Sequence, residues 1–133
     1  MIDLLPSAEQ QQIIDSVAAF LAAELPLARL RPGSDGERSG DICISAELWQ
    51  RMAGLGWFGL GIPEGRGGAG LTVVEEMLLA REVGRYAASP AIAATIAAAH
   101  LAVRGDRDLL ENLVAGKQRV AIASRLCAGS DEC

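Results

Sequence analysis

The sequence is poor in aromatic residues and holds no uninterrupted apolar run long enough to cross a membrane. Aromatic residues make up only 4% of the chain, although 50% of its 133 residues are apolar. The core must therefore be built mainly from alanine, leucine, isoleucine and valine, a composition that favours packed helices over a β-sandwich. The alanine-rich stretch 87–103 is interrupted by Ser89, Pro90, Thr95 and His100, and it falls short of the roughly 20 apolar residues that a membrane-spanning helix needs.

Basic residues and cysteines are also scarce. The chain has 12 Lys and Arg against 17 Asp and Glu, a net charge of −5, which argues against a nucleic-acid partner because phosphate binding needs a basic surface. Cys43, Cys127 and Cys133 are an odd number at unrelated spacings without a metal-ligand pattern. We interpret them as free thiols and expect no metal site. A signal peptide begins with basic residues that are followed by an apolar run. The first residues of this chain are acidic instead, so we expect a cytoplasmic protein.

Glycine is concentrated between Leu55 and Gly70, a segment that we call the glycine-rich connector. Seven of these sixteen residues are glycine, and bulky apolar residues are interleaved with them: Leu55, Trp57, Phe58, Leu60 and Ile62. A flexible linker would lack such anchors. The connector is either a structural hairpin between helices or a loop that shapes a ligand cleft. It lacks the Lys-Ser/Thr ending of a phosphate-binding loop, and no long strand precedes it.

Apolar residues recur at helical spacing in five segments, and each segment is preceded by residues that favour a helix N-terminus. Ser7 with Gln10 and Thr72 with Glu75 fit capping boxes. Ser89 followed by Pro90 predicts an N-cap and a proline at the first helical position. The remaining two predicted caps are Ser45 and Asp106. The short β-branched run 120–123 predicts the beginning of a strand.

Two side-chain arrangements can also be predicted. In the third helix, one face is expected to be apolar and the other polar, with Val73, Val74, Met77, Leu78 and Ala80 against Glu75, Glu76, Arg81, Glu82 and Arg85. The adjacent acids Glu75 and Glu76 do not face each other on a helix, so we assign them no catalytic role. His100, the only histidine, has no evident acidic or cysteine partner and is expected to be a surface or capping residue. The residues alone thus describe a helical structural or interaction module.

The connector also carries a longer pattern. Its sequence, LGWFGLGIPEGRGGAG, is similar to the signature L-G-x-x-G-[LI]-x-[IV]-P-E-x-x-G-G-x-G of the N-terminal helical domain of acyl-CoA dehydrogenases, with Pro63-Glu64 and 67–70 in their places. The resemblance extends over nearly the whole chain. It implies an all-α fold, a five-to-six-helix orthogonal bundle with a short β segment at the C-terminus. It also implies two parts: an N-terminal helical domain at 1–118, and the start of a truncated middle β-domain at 119–133.

The last residues resemble the family's first flavin segment, F/Y-x-x-T-E-P-x-A-G-S-D. Here 121–131 reads AIASRLCAGSD, with Arg125-Leu126 in place of Glu-Pro and Ala121 in place of the aromatic residue. The resemblance implies FAD as cofactor. The residues that it assigns to cofactor binding are Ser124, Ala128, Gly129 and Ser130, and Ser130 would also meet the acyl-CoA.

The family reaction is α,β-dehydrogenation of an acyl-CoA thioester in fatty acid or lipid metabolism. A glutamate removes the α-proton while the β-hydride passes to FAD, and in most members that base lies in a C-terminal helical domain. No catalytic residue is therefore assigned in this chain. By position, the fourth helix would form one wall of the acyl pocket. The candidate wall residues, for which ordinary core is the alternative, are Ile92, Thr95, Ile96 and Ala99.

We therefore expect the N-terminal part of an FAD-dependent acyl-CoA dehydrogenase-like enzyme. Alone, the chain should be inactive and bind FAD weakly or not at all. Its expected partners are the acyl-CoA substrate and the remaining domains or a partner subunit, in a homo- or hetero-oligomer. The alternative is a non-catalytic helical subunit or interaction module of a split or degenerate enzyme.

Overall fold

The computed structural model describes residues 5–30 and 44–123, and this part of the chain is helical. It contains five α-helices: α1 (Ala8–Glu24), α2 (Ala46–Gly54), α3 (Val73–Arg85), α4 (Ala91–Ala102) and α5 (Arg107–Val114). Short 3₁₀ turns lie at Leu27–Leu30, Trp57–Gly59 and Glu64–Arg66. The predicted helical fold class is thus confirmed. The three cysteines lie outside the described residues.

The predicted C-terminal β segment is not shown. Residues 120–123 are described but form no strand, and 124–133 lie outside the described part of the chain. The physical reason is that ladder hydrogen bonds need a partner strand. None of the described residues forms a strand that could pair with this run.

Local side-chain chemistry begins most helices as predicted. Ser7 and Gln10 exchange reciprocal hydrogen bonds at the start of α1, and Thr72 and Glu75 do so at the start of α3. Side chains that accept a backbone N–H also cap α2 and α5, at Ser45 and Asp106. Each of these caps satisfies a backbone donor that the first turn leaves unpaired.

The start of α4 differs from the prediction by one residue. Pro90, not Ser89, is the N-cap, and Ala91 is the first helical residue. The carbonyl of Pro90 already accepts a helical hydrogen bond from the Ala94 N–H at 3.1 Å. Ser89 still contributes, since its Oγ accepts a hydrogen bond from the Ala91 N–H at 3.3 Å.

The glycine-rich connector holds the two parts of the hydrophobic core together. Trp57, Phe58 and Leu60 enter the larger cluster with side chains of α1, α2, α3 and α4, where Phe58 stacks on Trp49 with 4.5 Å between ring centroids. Ile62 enters a smaller cluster formed by α4 and α5. Leu55, predicted as a further anchor, is instead exposed, because it ends α2 just before the chain turns through the left-handed Gly56.

The connector folds back on itself. The Ala69 N–H donates to the carbonyl of Gly59, and the Gly70 N–H donates to the carbonyl of Ile62, at 2.9 and 2.8 Å. Gly68 lies so close to Ile62 that a Cβ there would fall under 3.0 Å from the Ile62 carbonyl oxygen. Among the described residues, the connector is therefore a closed and tightly packed hairpin between helices.

The third helix buries three of the acids that were predicted on its polar face, while Arg81 and Arg85 of that face are exposed as predicted. Glu75, Glu76 and Glu82 are buried together with Leu79 and Val83. Three of the five residues predicted on the apolar face are on the surface instead: Val73 is 64% exposed, Val74 48% and Met77 60%. Leu78 and Ala80, the other two, are half-buried. The acids can be buried because each meets donors from its surroundings, as described below.

Within residues 5–30 and 44–123, no helix combines the length and the apolar character that crossing a membrane requires.

Candidate functional site

The candidate site centres on α4, a helix that contains no aspartate, glutamate, lysine or arginine. Its sequence is AIAATIAAAHLA, and His100 is its only titratable residue. Two depressions flank α4 and share Ala93. Both are lined largely by small apolar side chains, so neither is built like a phosphate or metal site.

The first depression, which we call the exit cleft, lies where the chain leaves the helical part. Its volume is about 410 Å³, and its walls come from the first turn of α4 and from the segment after α5. The lining residues are Ser89, Pro90, Ala91, Ala93, Ala94, Ala121 and Ile122. No lining side chain is charged, so the cleft suits an uncharged, apolar group.

Side chains of two helices fix the chain beside the exit cleft. Thr95 Oγ1 on α4 accepts a hydrogen bond from the Val120 N–H at 3.2 Å. The Arg119 guanidinium donates to the backbone carbonyls of Ile44 at 2.7 Å and Ser45 at 3.0 Å. It also lies 4.8 Å above the Trp49 ring, which adds a cation–π attraction. The direction of residues 119–123 is thus set by the start of α2 and by α4.

The predicted wall residues occupy different environments. All four are buried, with Ile96 the most exposed of them at 9%. Ile96 borders the second depression rather than the exit cleft. Of the four, Ile96 lines one of the two depressions described beside α4, and the role of all four as wall residues stays a prediction. The predicted cofactor residues Ser124, Ala128, Gly129 and Ser130 lie outside the described part of the chain.

Sequence reasoning missed the residues that line the exit cleft. The sequence predicts only a helix cap at Ser89 and indicates no role for Ala93. It predicts the beginning of a strand at Ile122, which forms no strand and is 74% exposed.

The second depression, which we call the α3–α4 groove, has a volume of about 190 Å³. Its lining residues are Glu76, Met77, Ala80, Ala93, Ile96, Ala97 and His100. At one end, His100 Nε2 lies 2.8 Å from both carboxylate oxygens of Glu76. The Glu76 side chain is 7% exposed and that of His100 is 43% exposed.

His100 therefore does have an acidic partner, contrary to the prediction, and the partner lies 24 residues earlier in the chain. Glu76 also accepts a hydrogen bond from the Gly61 N–H at 2.9 Å. A Cβ at Gly61 would lie 2.5 Å from Glu76 Oε1, so glycine lets the carboxylate reach the backbone. One carboxylate on α3 thus links the glycine-rich connector to α4.

The other two buried acids of α3 have partners of different kinds. Hydrogen bonds from Thr72 and from Gln10 lower the pKa of Glu75 from 4.5 to about 2. Glu82 accepts from Arg81 Nε at 3.1 Å and from Arg85 Nη1 at 3.2 Å. The partners of these two acids belong to α1, to α3 and to the α3 N-cap, so the contacts stabilise the start and the packing of α3. The described residues contain no group of three or more potential metal ligands.

The family profile of the acyl-CoA dehydrogenase N-terminal domain matches residues 7–115. The chain therefore belongs to the acyl-CoA dehydrogenase family, a family of oxidoreductases, and the matched part is its N-terminal domain. This confirms the resemblance found in the glycine-rich connector.

Among curated proteins, mitochondrial isovaleryl-CoA dehydrogenase from Pongo abelii is 34% identical to this chain over 80 residues. The alignment covers 59% of this chain and 18% of the relative. The chain thus spans only about a fifth of the relative's length. That relative is named as mitochondrial, and the cytoplasmic location of this chain stays a prediction. No solved structure matches the chain significantly.

Proposed function

We propose that this chain is the N-terminal part of an FAD-dependent acyl-CoA dehydrogenase-like enzyme and forms one wall of its acyl and flavin pocket. The exit cleft is the observation that supports this proposal most directly. It is an uncharged cleft beside α4, and the residues predicted to bind the flavin follow it directly, from Ser124 onward. Isovaleryl-CoA dehydrogenase, the relative, is named for a short branched acyl-CoA. We propose an acyl-CoA thioester as the substrate class here too.

The composition of the exit cleft is compatible with such a ligand. Alanines at 91, 93, 94 and 121 leave room for a flat ring or an acyl chain, and no buried charge opposes an apolar group. Ser124, Ala128, Gly129 and Ser130 would hold the flavin. When bound, the flavin supplies the hydride acceptor of the reaction. The contribution of this chain to the reaction is to position the ligands and to exclude water from one side of the pocket.

The predicted wall residues keep a place in this proposal. All four are buried and none lines the exit cleft, so they would support the pocket wall by setting the position of α4. Thr95 has the clearest means of doing so, because its hydroxyl holds the Val120 N–H. None of these residues is a base, so the 133-residue chain alone is proposed to be inactive.

The experiment uses this chain joined to the residues encoded downstream of it. We expect acyl-CoA-dependent reduction of a dye by the longer protein and none by the 133-residue chain. Replacing Ile122 by Glu places a charge in the exit cleft and should lower kcat/KM at least about tenfold, equivalent to about 1.4 kcal/mol. Leu27→Glu is the matched control, because Leu27 is also an exposed apolar residue but does not line the cleft.

Two results would contradict this proposal. One is dye reduction, or stoichiometric flavin, in the purified 133-residue chain. The other is an equal effect of Ile122→Glu and Leu27→Glu on kcat/KM. A longer protein that folds but neither binds flavin nor turns over acyl-CoA would instead support a non-catalytic helical subunit.

A further inference from the structure

We propose that Arg29 is a positioning residue for the exit cleft, because it holds the connection between α3 and α4. We call this connection the α3–α4 turn and define it as residues 86–90. Ser89 and Pro90 of the turn line the exit cleft. Arg29 belongs to the 3₁₀ turn Leu27–Leu30 that follows α1. The inference rests on the proposed function, in which the cleft receives part of the acyl or flavin ligand.

The guanidinium group of Arg29 joins the ends of two helices. Nη1 donates a hydrogen bond to the Leu25 carbonyl at 2.7 Å, where α1 ends. Both terminal nitrogens lie 3.3 Å from the Tyr86 carbonyl oxygen, and Nη2 also donates to the Ala87 carbonyl at 2.9 Å. Hydrogen bonds from a charged donor are stronger than those between neutral groups. Arg29 therefore ties the end of α1 to the end of α3, across 58 residues of sequence.

The α1 end of this link is fixed in the core. Leu25 is buried in the larger core cluster, and its N–H donates to the Leu21 carbonyl at 2.8 Å. The Arg29 N–H donates to the Pro26 carbonyl at 3.1 Å, which closes the 3₁₀ turn. The half-buried Arg29 side chain thus starts from a backbone position that the core determines, and its guanidinium can set the position of the carbonyls that it contacts.

The α3–α4 turn has a backbone conformation that benefits from such support. Ala87 has a φ of +46° and is the only non-glycine residue with a positive φ in the described part of the chain. The Cβ of an L-residue disfavours this region. The last carbonyls of a helix also lack partners within the helix, and Arg29 donates to the carbonyl of the C-cap residue, Tyr86. The guanidinium therefore stabilises the conformation in which the chain passes from α3 to α4.

The α3–α4 turn is connected directly to the cleft. Ser89 Oγ accepts a hydrogen bond from the Ala91 N–H at 3.3 Å, and the Ser89 carbonyl accepts one from the Ile92 N–H at 3.1 Å. These contacts begin α4, whose first turn supplies Ala91, Ala93 and Ala94 to the cleft. A shift of the α3–α4 turn would thus move the cleft residues of the turn and of α4 together.

The other segment that lines the cleft, residues 121–122, is held by the same chemistry. The guanidinium of Arg119, two residues before this segment, donates to the backbone carbonyls of Ile44 and Ser45. Each of the two segments that meet α4 at the cleft is therefore held by an arginine that bonds backbone carbonyls. A planar guanidinium can bond two carbonyls in a fixed geometry, which the ammonium of lysine does not reproduce. This convergence on one cleft supports a positioning role for Arg29.

The first experiment measures amide hydrogen exchange by NMR in the 133-residue chain. The reporters are the N–H groups of Ala88, Ile92 and Ala94, which bond to carbonyls of residues 83, 89 and 90. In Arg29→Lys and Arg29→Gln, we expect exchange at these amides to be at least about tenfold faster, because hydrogen bonds from a charged donor are lost. The amides of α5 are the internal reference, since global unfolding would accelerate both groups.

Arg51→Lys is the matched control. Arg51 also contacts α1 near its end, with Nη2 2.9 Å from a Glu24 carboxylate oxygen and its guanidinium 5.3 Å from the centre of the Phe20 ring. It does not contact the α3–α4 turn. We expect exchange at the three reporter amides to be the same in Arg51→Lys as in the wild type. If Arg29→Gln fails to fold, as circular dichroism would show, Arg29→Lys decides the outcome.

The second experiment uses the longer protein that contains the downstream residues. Its readout is the ratio of kcat/KM for isovaleryl-CoA to kcat/KM for the straight-chain octanoyl-CoA. A loss of folded protein lowers both values by the same factor and leaves the ratio unchanged. A displaced cleft wall alters the fit of the two acyl groups differently. We expect Arg29→Lys to change the ratio at least about threefold, since one methylene group in a pocket is worth more than this, and Arg51→Lys to leave it unchanged.

Either of two results overturns the proposal. Wild-type exchange rates at the reporter amides of Arg29→Lys, or an equal acceleration in α5, would mean that Arg29 contributes only charge or overall stability. An unchanged substrate ratio in an active Arg29→Lys enzyme would mean that the α3–α4 turn does not shape the cleft. A longer wild-type protein without turnover would contradict the proposed function instead. Exchange at Ala94, which lines the cleft, would then decide whether Arg29 positions it.

Discussion

Replacing Gly68 by alanine should destabilise the protein by about 3 kcal/mol. A Cβ at this position would lie under 3.0 Å from both the carbonyl oxygen and the Cβ of Ile62, whereas non-bonded carbon atoms prefer about 3.5–4.0 Å. Ile62 cannot move aside easily, because it is buried in the smaller core cluster and its carbonyl accepts the Gly70 N–H. Overpacking of a tight site costs about 1–3 kcal/mol, and a clash with backbone belongs at the upper end.

Urea unfolding followed by circular dichroism measures this loss. With a slope of about 1–3 kcal/mol per molar urea, the midpoint should fall by at least about 1 M. Gly65→Ala is the matched control, since Gly65 lies in the same connector and a Cβ there would meet nothing within 4 Å. We expect that control to be neutral or slightly stabilising, by up to about 1 kcal/mol. Equal losses in the two variants would refute the argument from close approach at Gly68.

Three further perturbations test other parts of the helical fold. Ala87 has a left-handed backbone with φ of +46°, so Ala87→Gly should raise the free energy of unfolding by about 0.5–1 kcal/mol, measured by thermal melting; a lower melting temperature would contradict this. The pKa of Glu75 is lowered from 4.5 to about 2, so the carboxylate stabilises the fold above pH 4.5 and this contribution is lost as the pH falls toward 2. Glu75→Gln should therefore be less stable than the wild type at neutral pH, and the difference should shrink between pH 4.5 and 2; a constant difference would show that ionisation of Glu75 is not involved. Glu82→Gln should cost about 1–3 kcal/mol in urea unfolding, because the neutral amide cannot replace charge-assisted hydrogen bonds with two arginines; an unchanged midpoint would mean that those ion pairs contribute nothing.

The helix starts could be predicted because they depend on residues close in sequence. Ser7 and Gln10, or Thr72 and Glu75, are three residues apart, so the capping box is contained in a single turn. The glycine-rich connector could be interpreted for the same reason, since its apolar anchors and its glycines lie within one short segment. These local patterns determined the helix order and the family resemblance.

The inward face of α3 could not be predicted because periodicity permits two answers. One face of α3 carries Val73, Val74 and Met77. The opposite face carries Glu75, Glu76, Leu79 and Glu82. What decides between them is distant in sequence. Gln10 donates to Glu75 from α1 across 65 residues, and His100 reaches Glu76 from α4 across 24 residues. No pattern within α3 itself indicates that such donors exist.

The same limit applies to the candidate site. The role of α4 as a wall of the acyl pocket stays a prediction, and helical spacing gives no indication of which of its residues line the exit cleft. Ala93 and Ser89 line a cleft only because residues 121–122 lie beside them in the folded chain. A cleft made by two segments nearly 30 positions apart has no signature in either segment alone.

Arg119 gives the helical part a defined mechanical behaviour. A pulling force applied downstream of residue 123 would be transmitted through the Arg119 guanidinium to the start of α2, and through the Val120 amide to Thr95 in α4. Part of the tension would then reach α2 and α4 directly, before the backbone transmits the rest to α5. A segment attached at that end would therefore pull on α2 and α4 at the same time, and the two helices would resist the force together.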